Sequence, residues 1–396
     1  MGGRINILNG NILLKGELKD NKVKKIIKYI VFLGLILSVI VMWPYPFLYI
    51  SNYGNNFDNS IYSSEFLSNK RVMVIVPHQD DEINVAGANI KNYINGGSDV
   101  IVVFTTNGDY YGLGKVRIDE AINAMEKLGV KSENVVFLGY GDKWDTEYNH
   151  IYHAPDNEIV KSYIGNIETY GNESVETFKE IMDSGQSSYT RDNYKNDIKN
   201  VILHYLPDTI LAVDFDSHVD HRATSLLFEE AMGEILREYE EYEPNIFKGF
   251  AYNTSWNAVD DFYGVNLEST VAPDKSNIIN DDYELDVPNY DWNNRVRFPV
   301  PKEMLSYTKR SNLIYEALSE HKSQNANLNT IRIVNSDQVF WKRDTSSVTY
   351  NADIEVSSGE KSYLNDFKLV DSSDITERNA KFDKCIWIPE EHDTDK

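Results

Sequence analysis

Two short clusters of histidine and acidic residues in this 396-residue sequence have the composition of a hydrolytic metal site. The first reads His-Gln-Asp-Asp-Glu at residues 78–82, and the second reads Asp-Ser-His-Val-Asp-His at residues 216–221. Imidazole and carboxylate groups together suit Zn²⁺ and related divalent metals. The acidic residues of the first cluster could instead cap a helix, because carboxylates are favoured at a helix N-terminus. The first cluster alone leaves both interpretations open.

Both clusters follow predicted buried strands. Residues 71–77 and 209–215 are largely apolar runs, as expected for parallel strands that are covered on both faces. In an open α/β sheet, ligands bind at the carboxyl ends of the strands. Two clusters at two such ends can converge and supply three metal ligands with one open position, as in a catalytic zinc site. Together they predict a hydrolytic metal site.

The elements that must position these clusters alternate along the chain. Further buried strands are predicted at residues 100–106 and 134–139. Helices are predicted near residues 83–94, 116–128, 192–205, 223–241 and 301–321. This alternation predicts an α/β fold, in a Rossmann-like three-layer α/β/α arrangement with a mostly parallel sheet. Residues 142–193 and 253–300 interrupt the rhythm, and we interpret the first as an insertion over the carboxyl edge that shapes substrate access.

Motifs between residues 71 and 325 resemble those of the PIG-L / LmbE-like N-acetylglucosaminide deacetylases. The two metal motifs of that family read His-Pro-Asp-Asp-Glu and His-x-Asp-His, and their counterparts here are residues 78–82 and 218–221. Further similarities are Thr-x-Gly-Asp at residues 106–109, Arg117 with Glu120, Leu-Gly-x-x-Asp within residues 137–142, and His-x-Ser-Gln at residues 321–324. Gln79 in the first motif and Val219 in the second each stand where the family has a proline. Neither position supplies a ligand.

The resemblance implies a role for most residues of the two metal motifs. His78, Asp81 and His221 would bind Zn²⁺, and another divalent metal would also fit this ligand set. Asp80 would be the general base that takes a proton from the attacking water. His218 would donate a hydrogen bond or a proton to the tetrahedral intermediate.

Three further residues receive roles from the same resemblance. Asp220 would orient a histidine from outside the ligand set, and Arg117 and Asp142 would hold hydroxyl groups of the sugar or its aglycone. The implied activity is hydrolysis of the N-acetyl group of a GlcNAc-type amino sugar in a cell-envelope or extracellular glycan. The alternatives are an amidase acting on another acylated amine and a non-catalytic glycan-binding surface protein.

The charge of the chain is strongly negative and unevenly divided. It has 62 acidic residues against 39 Lys and Arg, for a formal net charge of −23. Binding to nucleic acid needs a basic face, so this balance argues against that class of partner. The single cysteine, Cys385, excludes an intramolecular disulfide and a cysteine-rich zinc site. Residues 1–28, by contrast, carry seven basic and two acidic residues.

Residues 29–50 form an uncharged, largely apolar run that is long enough to cross a bilayer as a helix. Lysines precede this run, and neither Lys nor Arg follows until Lys70, which fits the positive-inside rule. We therefore expect a single-pass protein of the cell membrane, with a cytoplasmic N-terminus and an extracellular catalytic domain. The alternatives are a cleaved signal peptide, whose apolar region is usually shorter, and a buried core helix.

These features predict five segments. Residues 1–28 are a basic cytoplasmic tip, residues 29–50 the membrane anchor, residues 51–70 a spacer, residues 71–330 the deacetylase domain, and residues 331–396 a β-rich appendage. The appendage resembles the opening strands of a discoidin-like β-sandwich, which needs more residues than remain here.

Residues of the 142–193 insertion could also take part. His150 and His153 could be additional ligands or substrate contacts, or they could be ordinary polar loop residues. Aromatic residues in or beside the insertion could stack on sugar rings or could hold the loop together. They are Tyr140, Trp144, Tyr148 and Tyr152.

Overall fold

The computed structural model describes residues 6–42, 70–142, 150–214, 216, 218–239, 241–252, 269–270, 295–301, 304–306, 309–329, 333–334 and 336–343, with the backbone alone for residues 6–20. The chain divides into two compact units, Met1–Gly54 and Asn55–Lys396.

One long helix, α1 (Asn6–Met42), makes up the described part of the first unit. Its segment Asn21–Met42 is 22 residues long, is apolar enough to cross a membrane, and has none of its surface buried. A membrane span and a signal sequence near the N-terminus share these properties. The predicted anchor at residues 29–50 overlaps α1, and its last eight residues lie outside the described residues.

The second unit is built around a sheet. Its described strands are β1 (Arg71–Val76), β2 (Asp99–Thr106), β3 (Val135–Tyr140), β4 (Thr209–Val213), β5 (Asn245–Gly249), β6 (Arg295–Phe298) and β7 (Gln338–Arg343). Its described helices are α2 (Asp81–Asn95), α3 (Gly114–Leu128), α4 (Phe178–Asp183), α5 (Arg191–Tyr205), α6 (Val219–Glu238), α7 (Leu313–Leu318) and α8 (Ala326–Asn329). Short 3₁₀ turns lie at Ser132–Asn134, Ile151–His153, Lys309–Ser311 and Lys322–Gln324.

The strands are ordered β3-β2-β1-β4-β5-β7-β6. Strands β1 to β5 are parallel, and β7 runs antiparallel to both β5 and β6. The chain steps outward from β1 to β3 on one side and then returns to β4 on the other side of β1. Ile75 of β1 pairs with Ala212 of β4, so the carboxyl ends of these two strands lie side by side. This is the point at which the strand order reverses, where open α/β sheets bind ligands.

Side chains of β1 alternate between two apolar cores. Val72, Val74 and Val76 lie in a core with residues of α2, α3 and α7. Met73 and Ile75 point to the opposite face and lie in a second core with residues of α5 and α6. A strand that is buried on both faces in this way needs a helical layer on each side. The predicted three-layer α/β/α fold with a mostly parallel sheet is therefore confirmed.

The helix predicted near residues 301–321 is shorter than expected. In the structure it is α7, of six residues, preceded by the 3₁₀ turn Lys309–Ser311. The side chain of Asn312 accepts hydrogen bonds from the N–H groups of Ile314 and Tyr315, at 2.9 and 3.2 Å. Asparagine at this position starts a helix, which explains why α7 begins after it.

The segment predicted as a β-rich appendage, residues 331–396, contributes β7 to the central sheet, between β5 and β6. The part that resembles a discoidin-like sandwich falls on residues 344–396, which lie outside the described residues. The division of the chain at residue 330 stays a prediction, and β7 is continuous with the sheet.

The described part of the 142–193 insertion packs against the second core. Ile151, Tyr152, Phe178 and Tyr189 are buried there with residues of α5 and α6. The helix α4 inside the insertion starts with a capping box, in which Thr177 and Glu180 exchange hydrogen bonds between side chain and backbone. The described part of the insertion is therefore packed within the second unit.

Candidate active site

The turn that follows β1 brings His78 and Asp81 together. The backbone N–H of His78 donates to Oδ2 of Asp81 at 3.1 Å, and the ring Nδ1 of His78 lies 3.0 Å from the same oxygen. Asp80, just before α2, has a φ of 121°, a conformation that a residue with a Cβ adopts only under constraint. The side chain of Asp80 makes no capping hydrogen bond among the described residues. Helix capping therefore does not account for this carboxylate.

The turn that follows β4 leads to His221, in the first turn of α6. Its Nε2 lies 3.2 Å from Oδ2 of Asp81, without the alignment of a hydrogen bond. Across the described part of the chain, Nε2 of His221 and Oδ1 of Asp81 are buried with no hydrogen-bond partner. Buried polar atoms are almost always satisfied, so two such atoms on residues in contact indicate a place for a ligand.

The two turns thus place two ring nitrogens, Nδ1 of His78 and Nε2 of His221, beside one carboxylate oxygen, Oδ2 of Asp81. Ligands bound tetrahedrally to Zn²⁺ at about 2.0–2.2 Å are separated from one another by about 3.3–3.6 Å. The separations from the Asp81 oxygen here are 3.0 and 3.2 Å. Both separations are close to this range, which suits a zinc ion beside Asp81, and the roles of the three residues as ligands stay predictions.

Each of these two histidines is held from its far side by a carboxylate. Nε2 of His78 lies 3.2 Å from Oδ2 of Asp220. Nδ1 of His221 lies 2.9 Å from both carboxylate oxygens of Asp216. Because an ionised carboxylate only accepts hydrogen bonds, these nitrogens would keep their protons when a metal binds, and the opposite nitrogens, which face Asp81, would be the ones that give up theirs. Such pairs set the tautomer and the orientation of histidines that bind metals.

His218 is the N-cap residue of α6. Its Nδ1 accepts the backbone N–H of Asp220 at 3.1 Å, so the neutral ring carries its proton on Nε2. The ring centroid lies 4.7 Å from those of both His78 and His221. One ligand atom of each of these three histidines lies within 4.8 Å of the others, so His218 could also reach a metal held by the other two.

The ionisation of these groups follows from burial and from their close charges. Burial would lower the pKa of His221, but Asp216 and Asp81 outweigh it and raise that pKa to about 10. Burial and the imidazole of His221 hold the pKa of His218 well below its usual value. Burial and the carboxylate of Asp81 raise the pKa of Asp80 to about 7. The surroundings of His221 thus favour positive charge, which suits a divalent cation.

Asp142, directly after the strand β3, lies beside the same centre. Its Oδ1 is 3.7 Å from Nε2 of His78, and its Oδ2 is 4.0 Å from Nη1 of Arg117. The backbone N–H of Asp142 donates to Oδ1 of Asp109 at 2.8 Å, and the hydroxyl of Tyr170 donates to the other Asp109 oxygen at 2.9 Å. Asp109, whose role the sequence left open, thus holds the loop that carries Asp142.

Arg117 reaches the turns after β1 and β2 from the helix α3. It donates to the carbonyl oxygens of Gly108 and Gln79 at 2.7 and 3.3 Å, and also to the side-chain oxygen of Gln324. Gly108 has a φ of 58°, and a Cβ at this position would clash with the Arg117 guanidinium. Several donors of Arg117 are therefore engaged within the protein, and its predicted contact with substrate stays a prediction.

The late motif at residues 321–324 packs against the first metal motif and α3. Nε2 of His321 lies 2.8 Å from a carboxylate oxygen of Glu82, and both side chains are fully buried. The backbone and hydroxyl of Ser323 donate to the two oxygens of Glu120 at 2.8 and 2.7 Å. This segment therefore holds Glu82, which lies just after the turn that follows β1, and Glu120 of α3 in place.

The sequence assigned no single role to two residues near the site, Asp216 and His150. Asp216 belongs to the second cluster, and the structure pairs it with His221. His150 was open between a ligand, a substrate contact and a polar loop residue, and its Nε2 lies 2.6 Å from Oδ1 of Asp220. Asp216 could have been found from the sequence, because it is an acidic residue two positions before His218. No local pattern indicated a partner for His150.

The aromatic residues that could have stacked on sugar rings lie elsewhere. Tyr140 and Tyr152 are buried at 1% and 0% exposure, so their faces are not open to a ligand. The Tyr140 hydroxyl donates to Asp197 at 2.7 Å, which fits the interpretation that such rings hold the insertion together. Trp144 and Tyr148 lie outside the described residues.

Comparison with protein families gives a match over the strands and turns of this site. The family model described as PIG-L, GlcNAc-PI de-N-acetylase, matches residues 73–232. A Dictyostelium discoideum protein named "Probable N-acetylglucosaminyl-phosphatidylinositol de-N-acetylase" is 35% identical over 100 residues, which cover 24% of this chain and 37% of that protein. The match therefore spans little more than a third of that curated relative.

Two solved structures are also similar to this chain. One is a deacetylase–teicoplanin complex from the biosynthesis pathway of teicoplanin, with 15% identity, a TM-score of 0.39, and coverage of 69% of this chain and 97% of that chain. The other is N,N'-diacetylchitobiose deacetylase from Pyrococcus horikoshii, with 18% identity, a TM-score of 0.39, and coverage of 71% and 86%.

Proposed function

We propose, from the premise that residues 73–232 form a domain of the PIG-L family, that this chain is a metal-dependent deacetylase that hydrolyses the N-acetyl group of a GlcNAc-type amino sugar. The observation that carries the proposal is the contact of ring nitrogens from His78 and His221 with the same Asp81 oxygen, at 3.0 and 3.2 Å. Three such ligands with a position left open are typical of catalytic zinc sites, whereas structural zinc sites use four protein ligands.

The metal that this ligand set favours is Zn²⁺, because two imidazoles and one carboxylate suit it. When bound, zinc would supply Lewis acidity that polarises the amide carbonyl and makes water a stronger nucleophile. Asp220 and Asp216 hold the ligand histidines by their protonated nitrogens, at 3.2 and 2.9 Å. The opposite nitrogens are thereby directed to the proposed centre before any ligand arrives, and they would bind the metal once deprotonated.

Asp80 is the proposed general base. It directly precedes the ligand Asp81 in the turn after β1, and its carboxylate is not used to cap α2. Its constrained backbone is of the kind that proteins retain where a side chain must be held for function. A carboxylate in this place can accept the proton of the attacking water and pass it on as the amide bond breaks.

His218 is the proposed donor to the reacting amide. Because its Nδ1 is occupied by the N–H of Asp220, the remaining Nε2–H is the group that can donate. A hydrogen bond from this group to the oxygen that becomes negative in the transition state would stabilise that state.

Asp142 and Arg117 are the proposed contacts to sugar hydroxyls. Oδ1 of Asp142 is buried and, among the described residues, has no hydrogen-bond partner, although it lies 3.7 Å from Nε2 of His78. An unpaired carboxylate oxygen at this position can accept a hydroxyl proton next to the acetamido group. Arg117 lies 4.0 Å from the other oxygen and would fix the direction of that carboxylate.

We further propose that the apolar part of α1 anchors the chain with the catalytic domain outside the cell. Lys22, Lys24, Lys25 and Lys28 precede the uncharged run, and neither Lys nor Arg lies between residues 29 and 69. The substrate would then be a cell-envelope or extracellular glycan. Protease added to intact cells should cleave the catalytic domain, and full protection would instead indicate an inward-facing enzyme.

The activity can be tested with the full chain in detergent, loaded with Zn²⁺ and incubated with N-acetylated glycans. We expect release of acetate, loss of activity after chelation, and recovery when Zn²⁺ is returned. Release of another acyl group from other acylated amines, without acetate from glycans, would favour an amidase. A chain that binds no Zn²⁺ and releases no acid would contradict the proposal.

A further inference from the structure

We propose that His150, which the insertion carries, is a positioning residue of the metal site and sets the orientation of His78 through Asp220. The inference rests on the proposed function, because it assumes that His78 binds a metal. It gives the insertion a second role beside the shaping of substrate access.

The geometry fixes which nitrogen of His150 faces the site. His150 is 2% exposed and is the N-cap of the 3₁₀ turn Ile151–His153, where its Nδ1 accepts the backbone N–H of Tyr152 at 3.1 Å. Since Nδ1 uses its lone pair in this contact, the neutral ring carries its proton on Nε2. That Nε2–H points at Oδ1 of Asp220 over 2.6 Å. The hydrogen bond therefore runs from the insertion to Asp220.

Asp220 connects this contact to the proposed metal ligand. Its Oδ1 faces His150, and its Oδ2 faces Nε2 of His78 at 3.2 Å. Its Oδ2 also lies 3.8 Å from Nδ1 of His218, but that nitrogen accepts the backbone N–H of Asp220 and cannot donate to the carboxylate. A donor on Oδ1 holds the carboxylate in the rotation that keeps Oδ2 on His78. Nδ1 of His78 then stays directed at Asp81.

The turn that carries His150 is itself firmly held. The Arg191 guanidinium lies 5.0 Å from the ring centroid of Tyr152, within cation–π range. Arg191 also forms an ion pair with Glu230 of α6, and both residues are 1% exposed. The helix α6 also carries Asp220 and His221. The insertion is therefore attached to the same helix whose first turn forms part of the site.

The test uses the full chain in detergent and Zn²⁺ alone, with affinity measured by competition with a chromogenic chelator. His150→Asn keeps an N-cap acceptor for Tyr152 but is too short to reach Asp220. We expect it to fold and to bind Zn²⁺ about 10-fold more weakly, at the lower end of what changes beside metal ligands cost. His150→Gln places an amide N–H near the position of Nε2 and should recover most of the affinity. His204→Asn, at an exposed histidine of α5, should bind as the wild type does.

A double-mutant cycle separates this role from general loosening of the fold. If His150 acts through Asp220, His150→Asn should cost little further Zn²⁺ affinity in an Asp220→Asn background. Additive losses, or no loss in His150→Asn, would overturn the inference and leave the proposed function intact. A wild-type chain that binds no Zn²⁺ would overturn the proposed function and this inference with it.

Discussion

The two turns that follow β1 and β4 differ from the 142–193 insertion in how they contribute to the same site. The turns carry the proposed ligands at short sequence spacing, with His78 and Asp81 three residues apart. The insertion carries His150, which meets Asp220 seventy residues further along the chain. The topology of the sheet decides where the proposed ligands lie, while we propose that a segment without a motif contributes to their orientation.

Removal of a ligand from the turns should give the largest effect on metal binding. Asp81→Asn takes the charged donor from between His78 and His221, so Zn²⁺ affinity should fall by more than the about 10–100-fold typical of outer partners. Chelator competition measures this loss. Asp99→Asn, at an exposed acidic residue at the start of β2, is the matched control and should bind normally. An unchanged affinity in Asp81→Asn would mean that the turns do not hold the metal.

Loss of the contact between His321 and Glu82 should lower the free energy of unfolding. His321→Leu leaves the fully buried Glu82 without its partner at 2.8 Å, and breaking a buried ion pair costs about 3–5 kcal/mol. Denaturant unfolding of the full chain in detergent would show a lower free energy of unfolding. Lys322→Gln changes the adjacent, exposed residue and should stay within about 0.5 kcal/mol of wild type. A loss below about 1 kcal/mol in His321→Leu would show that the pair is not needed.

A change of the carboxylate behind a ligand should have an intermediate effect. Asp216→Asn removes the charge that holds Nδ1 of His221 at 2.9 Å, so we expect Zn²⁺ to bind about 10–100-fold more weakly. The folded fraction, followed by circular dichroism, should not change. Wild-type affinity in this variant would indicate that His221 keeps its orientation without the carboxylate.

The smallest effect is expected in the part of the insertion away from the site. Thr177→Ala removes the capping box of α4 and should cost about 1 kcal/mol of stability. Zn²⁺ affinity should be unaffected, because the contact with Asp220 comes from His150. A drop in affinity here would extend the positioning role to the whole insertion and weaken the contrast with the turns.

Much of the fold could be predicted because most parallel strands are continuous apolar runs. Strands β5 and β6 could not, because buried charged residues interrupt their pattern. Lys248 in β5 is fully buried, with its Nζ 3.4 Å from Asp214, and Arg297 in β6 donates to Asp337 at 2.7 Å. Such pairings join segments far apart in the chain, so a local pattern does not reveal them.

The candidate site also has features that the sequence predicts and features that it does not. The resemblance to PIG-L / LmbE-like deacetylases, read from the spacing of the motifs, is confirmed by the family match over residues 73–232. The positions of His78, Asp81 and His221 could be predicted because motif spacing and strand ends set them. The tautomers could not, since they depend on Asp216 and Asp220, whose directions appear only once the turns are folded.

The most direct test of the account compares wild type with Asp80→Asn for Zn²⁺ content and for release of acetate from N-acetylated glycans. Because Asp80 is proposed as the base and is not one of the three proposed ligands, the variant should keep one Zn²⁺ per chain. Its rate of acetate release should fall by about 10²–10⁴-fold, the usual contribution of a general base. Turnover at the wild-type rate would contradict the assignment, and with it the proposal that these turns form a hydrolytic site.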